Sequence, residues 1–205
     1  MHIVDGALSN QVVIVGAVAA IAGVGYGLRA LPMEKIPAAG VLAASFFVAS
    51  LIYVPIGPSS VHLILNGLAG VILGWAAFPA LFVGLVLQSV FFGFGGLTVL
   101  GINTVNIAMP AVLAGLLVRP FLALATPRTA AILGGFAGGL AIALTTLFVA
   151  LSLALSGDAF IPVAKLVLIS HIPVIIIEAV LTGAAVYLAN QVMPELFTSF
   201  KQAPT

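Results

Sequence analysis

The residues able to do chemistry in this chain are few: His2, His62 and His171, five carboxylates, and a scatter of amides, with no cysteine. His2 stands directly behind Met1 in the opening MHIVDGALS. A free Met1 amine, the His2 backbone amide nitrogen and the His2 imidazole can all bind one ion. Amine and amide close a five-membered ring and amide and Nδ1 a six-membered one, so three nitrogens lie in one plane with the fourth corner open. A histidine from elsewhere, His62 being the best candidate, would complete an all-nitrogen square. That geometry suits Ni(II) or Cu(II), and low-spin Co(II) also adopts it. Tetrahedral zinc is mismatched to it. Asp5 is a candidate acceptor behind these ligands, orienting the His2 ring or holding the amine. Taken alone, His62 reads equally well as a buried structural histidine.

The other polar residues fall inside apolar stretches, where they are costly and face an interior. His62 and Asn66 are spaced i, i+4 and are expected on one face of a helix. Asn103 and Asn106 are spaced i, i+3, His171 and Glu178 i, i+7, and Gln88 lies alone. For the amides the plainer reading is hydrogen bonding between helices. For His171 and Glu178 the plainer reading is a buried structural bond or a helix-end contact, and a proton relay is the alternative.

What must position these groups is a membrane bundle. The 205 residues are 63% hydrophobic and 5% charged, with a mean hydropathy of +1.36. Soluble domains carry about 25% charged residues, so a water-soluble fold is excluded. A crossing needs roughly 20 apolar residues, and the chain holds about seven such stretches and no separate soluble domain. They are expected over 11–28, 38–54, 61–75, 78–92, 104–118, 130–155 and 163–190. A leader covers 1–8, the membrane domain 9–190 and a polar tail 191–205, all within one integral membrane domain, 1–205. PIGPSS at 55–60 reads as a tight turn, and GFGGLTVLGIN at 93–103 as a Gly-rich loop or re-entrant stretch. The opening lacks the positive region of a signal peptide, so the N-terminus is expected to be mature as written.

Alternate loops share a side in this scheme. Arg29, Lys35, Arg119, Arg128 and Lys201 fall together, with only Lys165 opposite. The positive-inside rule makes their side cytoplasmic, placing the N-terminus outside and the C-terminus inside. Gly16, Ala20 and Gly23, Ala39 and Ala43, and Gly134, Gly135, Gly138 and Gly139 are spaced for close helix packing, within the chain or against a partner.

Four stretches together resemble the CbiM/NikM family, the substrate-binding membrane components of cobalt and nickel energy-coupling-factor transporters. MHIVDGALS is similar to the family's opening signature. VPIGPSSVHLILNGLAGVILG resembles its second, QSVFFGFGGLTVLGINTVNIAMP its third and HIPVIIIEAVLTG its fourth. PIGPSS departs from the Gly-Gly-Thr type of turn that many members carry. The resemblance implies an all-α bundle, a six-helix core with one added N-terminal helix, and a leader plugged into it. It implies a metal held by Met1, His2 and His62, with Asp5, Asn103 and Asn106 at other signature positions behind them. It also implies Ni(II) or Co(II) as transported substrate rather than cofactor. The partners it implies are a membrane-embedded coupling protein, cytoplasmic ATPase subunits and, in some systems, a small accessory membrane subunit, in the inner membrane of a prokaryote.

The chain contains no G-x-x-x-x-G-K-[ST] stretch and is expected to draw energy from partner ATPases rather than to be an enzyme. The lipid bilayer is its surroundings, and nucleic acid is not an expected partner. A proton-coupled secondary transporter using His171 and Glu178 is the alternative. An intramembrane hydrolase lacks its motifs here, and no ring of like charges marks a pore.

Overall fold

In the computed structural model, residues 2–56 and 59–198 are described. Met1, Gly57 and Pro58 of the expected turn, and the tail from residue 199 lie outside them. Helices α1 (Asn10–Arg29) and α2 (Ile36–Ala49) are followed by strands β1 (Tyr53–Ile56) and β2 (Ser59–His62). Then come α3 (Asn66–Leu73), α4 (Ala77–Phe92), α5 (Leu100–Leu122), α6 (Pro127–Ala154), α7 (Ile161–Ser170), α8 (Ile172–Val192) and α9 (Glu195–Thr198).

Five helical stretches among the described residues are long and apolar enough to cross a membrane: Asn10–Arg29, Asn66–Phe92, Leu100–Leu122, Pro127–Ala154 and Ile172–Val192. The difference from the expected seven has two sources. Helix α2 has only 14 residues, about 21 Å at 1.5 Å per residue. Helices α3 and α4 run as one apolar stretch interrupted at Gly74, whose φ of +60° ends α3. The last expected crossing is broken at His171, because Pro173 removes a backbone donor just inside α8.

Two expectations fail at the hairpin. The fold is not wholly helical: β1 and β2 pair antiparallel, with Tyr53 opposite His62 and Val54 opposite Val61. His62 therefore ends a strand and shares no helical face with Asn66, where α3 begins. Leu65 separates them with a left-handed backbone, φ +56°.

The bundle closes through small residues. Helix α3 is wedged among α5, α6 and α8, and α6 and α8 form the most extensive pairing. A Cβ at Gly70 would land on the Ala111 carbonyl, and one at Gly138 would come within 2.7 Å of Thr182 Oγ1 and Glu178 O. Gly16 faces Ile102, Gly23 faces Phe78 and Gly134 faces Val186, while Ala39 and Ala43 are buried. The small-residue faces are thus used inside the chain. Asn66 Nδ2 donates to Ile107 O and Thr145 Oγ1, each at 2.9 Å, tying α3 to α5 and α6. Gln88 Nε2 donates to Phe46 O at 3.3 Å, tying α4 to α2. Lys35 Nζ donates to Ile72 O at 3.2 Å, and the Arg119 guanidinium lies against Gly74. Both cations therefore sit at the C-terminal end of α3, where the helix dipole favours them.

Overpacking a closed helix contact costs about 1–3 kcal/mol. Gly70→Val is expected to lower the melting temperature of the purified chain, or to prevent its isolation as a monodisperse species. Gly25→Val on the outer face of α1, where a Cβ meets nothing, is expected to behave like the parent chain. Melting followed by size-exclusion chromatography in detergent compares the two.

Candidate metal centre

The leader is seated by main-chain bonds. Ile3 is fully buried, and its amide is clamped by one side chain. Ile3 N–H donates to Asn103 Oδ1 at 3.1 Å, and Asn103 Nδ2 donates to Ile3 O at 3.0 Å. Two residues on, Asp5 N–H donates to Gly95 O at 2.9 Å. The Asp5 carboxylate accepts from Thr98 Oγ1 and from Val99 N–H, at the entrance to α5. Asp5 therefore fixes the leader to the loop before α5, and it makes no bond to the His2 ring. Gly6, at φ +80°, turns the chain out towards α1.

This seating drives the His2 side chain inward, leaving it 3% exposed. Its ring stacks on His62 with centroids 4.7 Å apart and planes 18° apart. Phe94 lies against it at 5.8 Å and 23°, and Tyr53 meets Phe94 edge-on at 4.5 Å. The His2 amide donates to Ser60 Oγ at 3.4 Å. Alongside opens a cavity of about 260 Å³, lined in part by His2, Tyr53, Ser59, Ser60, Phe94 and Gly95.

His62 arrives on β2. Its Nδ1 lies 2.7 Å from Leu63 O, so Nδ1 carries the proton and Nε2 the free lone pair. His2 Nδ1, His2 Nε2 and His62 Nε2 are all buried without a partner among the described residues. Burial holds both imidazoles well below their ordinary value of 6.5, with each ring further depressed by positive charge nearby. Both are therefore neutral near pH 7, with lone pairs ready for a cation.

The remaining polar residues divide. Asn103 serves the leader. Asn106 Oδ1 accepts from Ser152 Oγ at 3.2 Å, joining α5 to α6. His171 Nδ1 is bonded to Val167 O at 2.7 Å, its Nε2 is buried without a partner, and no hydrogen bond links it to Glu178. The Glu178 carboxylate instead accepts from the backbone N–H groups of Ile64 and Leu65. Phe94, Tyr53 and Ser60 were not singled out from sequence. A period-two reading of YVPI and SSVH about a Gly-Pro turn was the signal that could have placed Tyr53 and Ser60.

Among the described residues, no three His, Cys, Asp or Glu side chains come close enough to hold one ion. The two imidazoles meet as a pair, with the His2 amide bonded to Ser60 Oγ beside them.

The sequence pattern of the family described as the cobalt uptake substrate-specific transmembrane region matches residues 2–196. A protein of Haemophilus influenzae, named as a presumed metal transport protein, is 42% identical over 201 residues, covering 96% of each chain. The fused nickel transport protein NikMN of Rhodobacter capsulatus is 37% identical over 115 residues, which are 53% of this chain and 33% of that longer one. A crystal structure described as a transition metal transporter superposes over the full length of both chains with a TM-score of 0.75 and 26% identity.

Burial of two neutral histidines has a pH signature. In the unfolded chain both return to about 6.5, so below that pH the unfolded form binds more protons and stability falls as pH falls. The metal-free chain is expected to melt at lower temperature at pH 5.5 than at pH 7.5. Each ring contributes at most about 1.4 kcal/mol per pH unit. Melting the chain with both rings replaced, His2→Phe and His62→Phe, at the same two pH values is expected to show a smaller difference.

Proposed function

The chain belongs to the CbiM/NikM family of cobalt-uptake, substrate-specific transmembrane proteins, and on that premise we propose that it is the substrate-binding component of an energy-coupling-factor transporter for Ni(II) or Co(II). Its coarser role is that of a multi-pass membrane component of cobalt or nickel uptake. The finer reading rests on one observation: the His2 and His62 rings meet, buried, with three ring nitrogens lacking any partner.

The site we propose has four nitrogens in a square: the Met1 amine, the His2 amide, His2 Nδ1 and His62 Nε2. The Leu63 carbonyl supports the His62 assignment, since it occupies the other ring nitrogen. Ser60 suits the His2 amide. A hydroxyl that accepts from the amide proton can turn and donate once that proton has left. Asn103 and Asp5 hold the leader in place, and Asn106 holds α5 against α6. Amine and amide lose protons on binding, so affinity falls in acid. Zinc, which prefers a tetrahedron, is disfavoured.

We read α1 to α6 and the α7–α8 pair as the seven helical elements of the bundle, with the leader as its plug. The leader faces outside and the C-terminus the cytoplasm of a prokaryotic inner membrane. In support, Lys35 and Arg119 gather at the far end of α5 from the leader. Energy comes from partner ATPase subunits through a membrane-embedded coupling protein, with a small accessory membrane subunit in some assemblies.

Two measurements test the site. His62→Ala removes one donor of four and is expected to weaken Ni(II) or Co(II) binding by more than about 100-fold, beyond the usual cost of changing a group behind the ligands. His171→Ala is expected to leave the metal-to-protein ratio unchanged, and the reverse pattern would move the site to α7–α8. The second comparison is between tags. One residue added before Met1 converts the amine to an amide and is expected to abolish metal loading and uptake, whereas a C-terminal tag does neither. Full loading of the extended chain, at equal membrane levels, would eliminate the amine as a ligand.

A further inference from the structure

His62 ends a strand, and α3 begins only at Asn66. The residues between them decide where the His62 ring points. Leu65 adopts φ +56°, the one positive φ outside glycine among the described residues. A left-handed backbone is unfavourable for a residue with a Cβ. Something must hold it, and no local side chain caps α3.

The holding group comes from α8. Leu65 N–H donates to Glu178 Oε1 at 2.9 Å and to Oε2 at 3.1 Å, and Ile64 N–H donates to Oε1 as well. Glu178 is fully buried. Its carboxylate faces the N-terminus of α3, where exposed amide donors and the helix dipole favour a negative group. Its own position is constrained in turn, because the Glu178 carbonyl abuts Gly138 on α6. Between clamp and ligand lies only Leu63, whose carbonyl accepts the His62 Nδ1 proton at 2.7 Å. A turn of the 63–65 backbone would move that carbonyl, and with it the plane of the His62 ring and the direction of its Nε2 lone pair.

We propose that Glu178 is a positioning residue for the metal site: by clamping the backbone of Ile64 and Leu65, it aims His62 Nε2 and so sets the affinity and planarity of the coordination. The proposal rests on His62 being a ligand.

The test uses the full-length chain in lipid nanodiscs, titrated with Ni(II) against a competing chelator, with the ligand-field absorption recorded. Glu178→Gln and Glu178→Asp keep a polar group but weaken or shorten the clamp. Each is expected to lose about 10–100-fold in affinity, as changes behind metal ligands do, with a shifted or broadened band. Leu65→Gly is expected to restore most of the affinity and the parent band in either background, because glycine adopts positive φ without the Cβ penalty. Should one Glu178 variant not fold, the other carries the same decision. Parent affinity and spectrum in a folded Glu178 variant overturns the proposal. So does a loss that Leu65→Gly does not restore, which would assign Glu178 to bundle packing alone. His62→Ala runs alongside: if it binds Ni(II) as the parent does, the ligand assignment falls, and the proposal with it.

Discussion

Hydrocarbon offers no hydrogen bonds, and every polar group carried into it must find a partner within the protein. This constraint organises the whole chain. Apart from the His2 ring, the buried amides and imidazoles are turned towards the backbone or hydroxyl of a neighbouring segment: Asn66 to α5 and α6, Gln88 to α2, Asn103 to the leader, Asn106 to α6, His171 to α7. Glu178 is turned to the start of α3 in the same way. Among the buried imidazole and amide side chains of the described residues, only the His2 ring uses neither of its polar atoms. Its neighbour His62 keeps one atom free. Two such rings stacked together leave three buried ring nitrogens with no partner among the described residues.

The cost of close approach shapes the rest. Glycines let α3 lie against α5 and α6 with backbones touching, and α6 against α8. Without lipid-excluding hydrophobic force between helices, such contacts and the few hydrogen bonds carry the association. They also make the scaffold stiff where the site needs it. The side chains that fix the leader and the turn after β2 sit on α5 and α8, two helices built into these seams.

Much of this was legible in the sequence for physical reasons. Helices α4 and α6 are long apolar runs bounded by glycine or proline, and their ends lie close to where composition puts them. The meeting of His2 with His62 was legible because an imidazole next to Met1 calls for a second histidine, and the two rings stack. The hairpin was not. YVPI and SSVH are too short for a period to outweigh the apolar background, so the segment reads as a turn entering a helix. The placements of Phe94 and Glu178 were hidden for a different reason. Phe94 meets His2 and Glu178 meets Leu65 across about half the length of the chain, and no local pattern encodes such a meeting.

The sequence distances in the site bear on biosynthesis. Ile3 and its clamp, Asn103, are 100 residues apart, so the leader is synthesised well before the helix that holds it. The carboxylate that secures the turn after His62 comes later still, on the last long helix. Until α5 is inserted His2 lacks the clamp that seats its neighbour Ile3, and until α8 is inserted the turn after His62 lacks its carboxylate. A nascent polypeptide therefore passes through the membrane-insertion machinery with the two rings unpaired, and the pocket beside them forms only when the bundle closes.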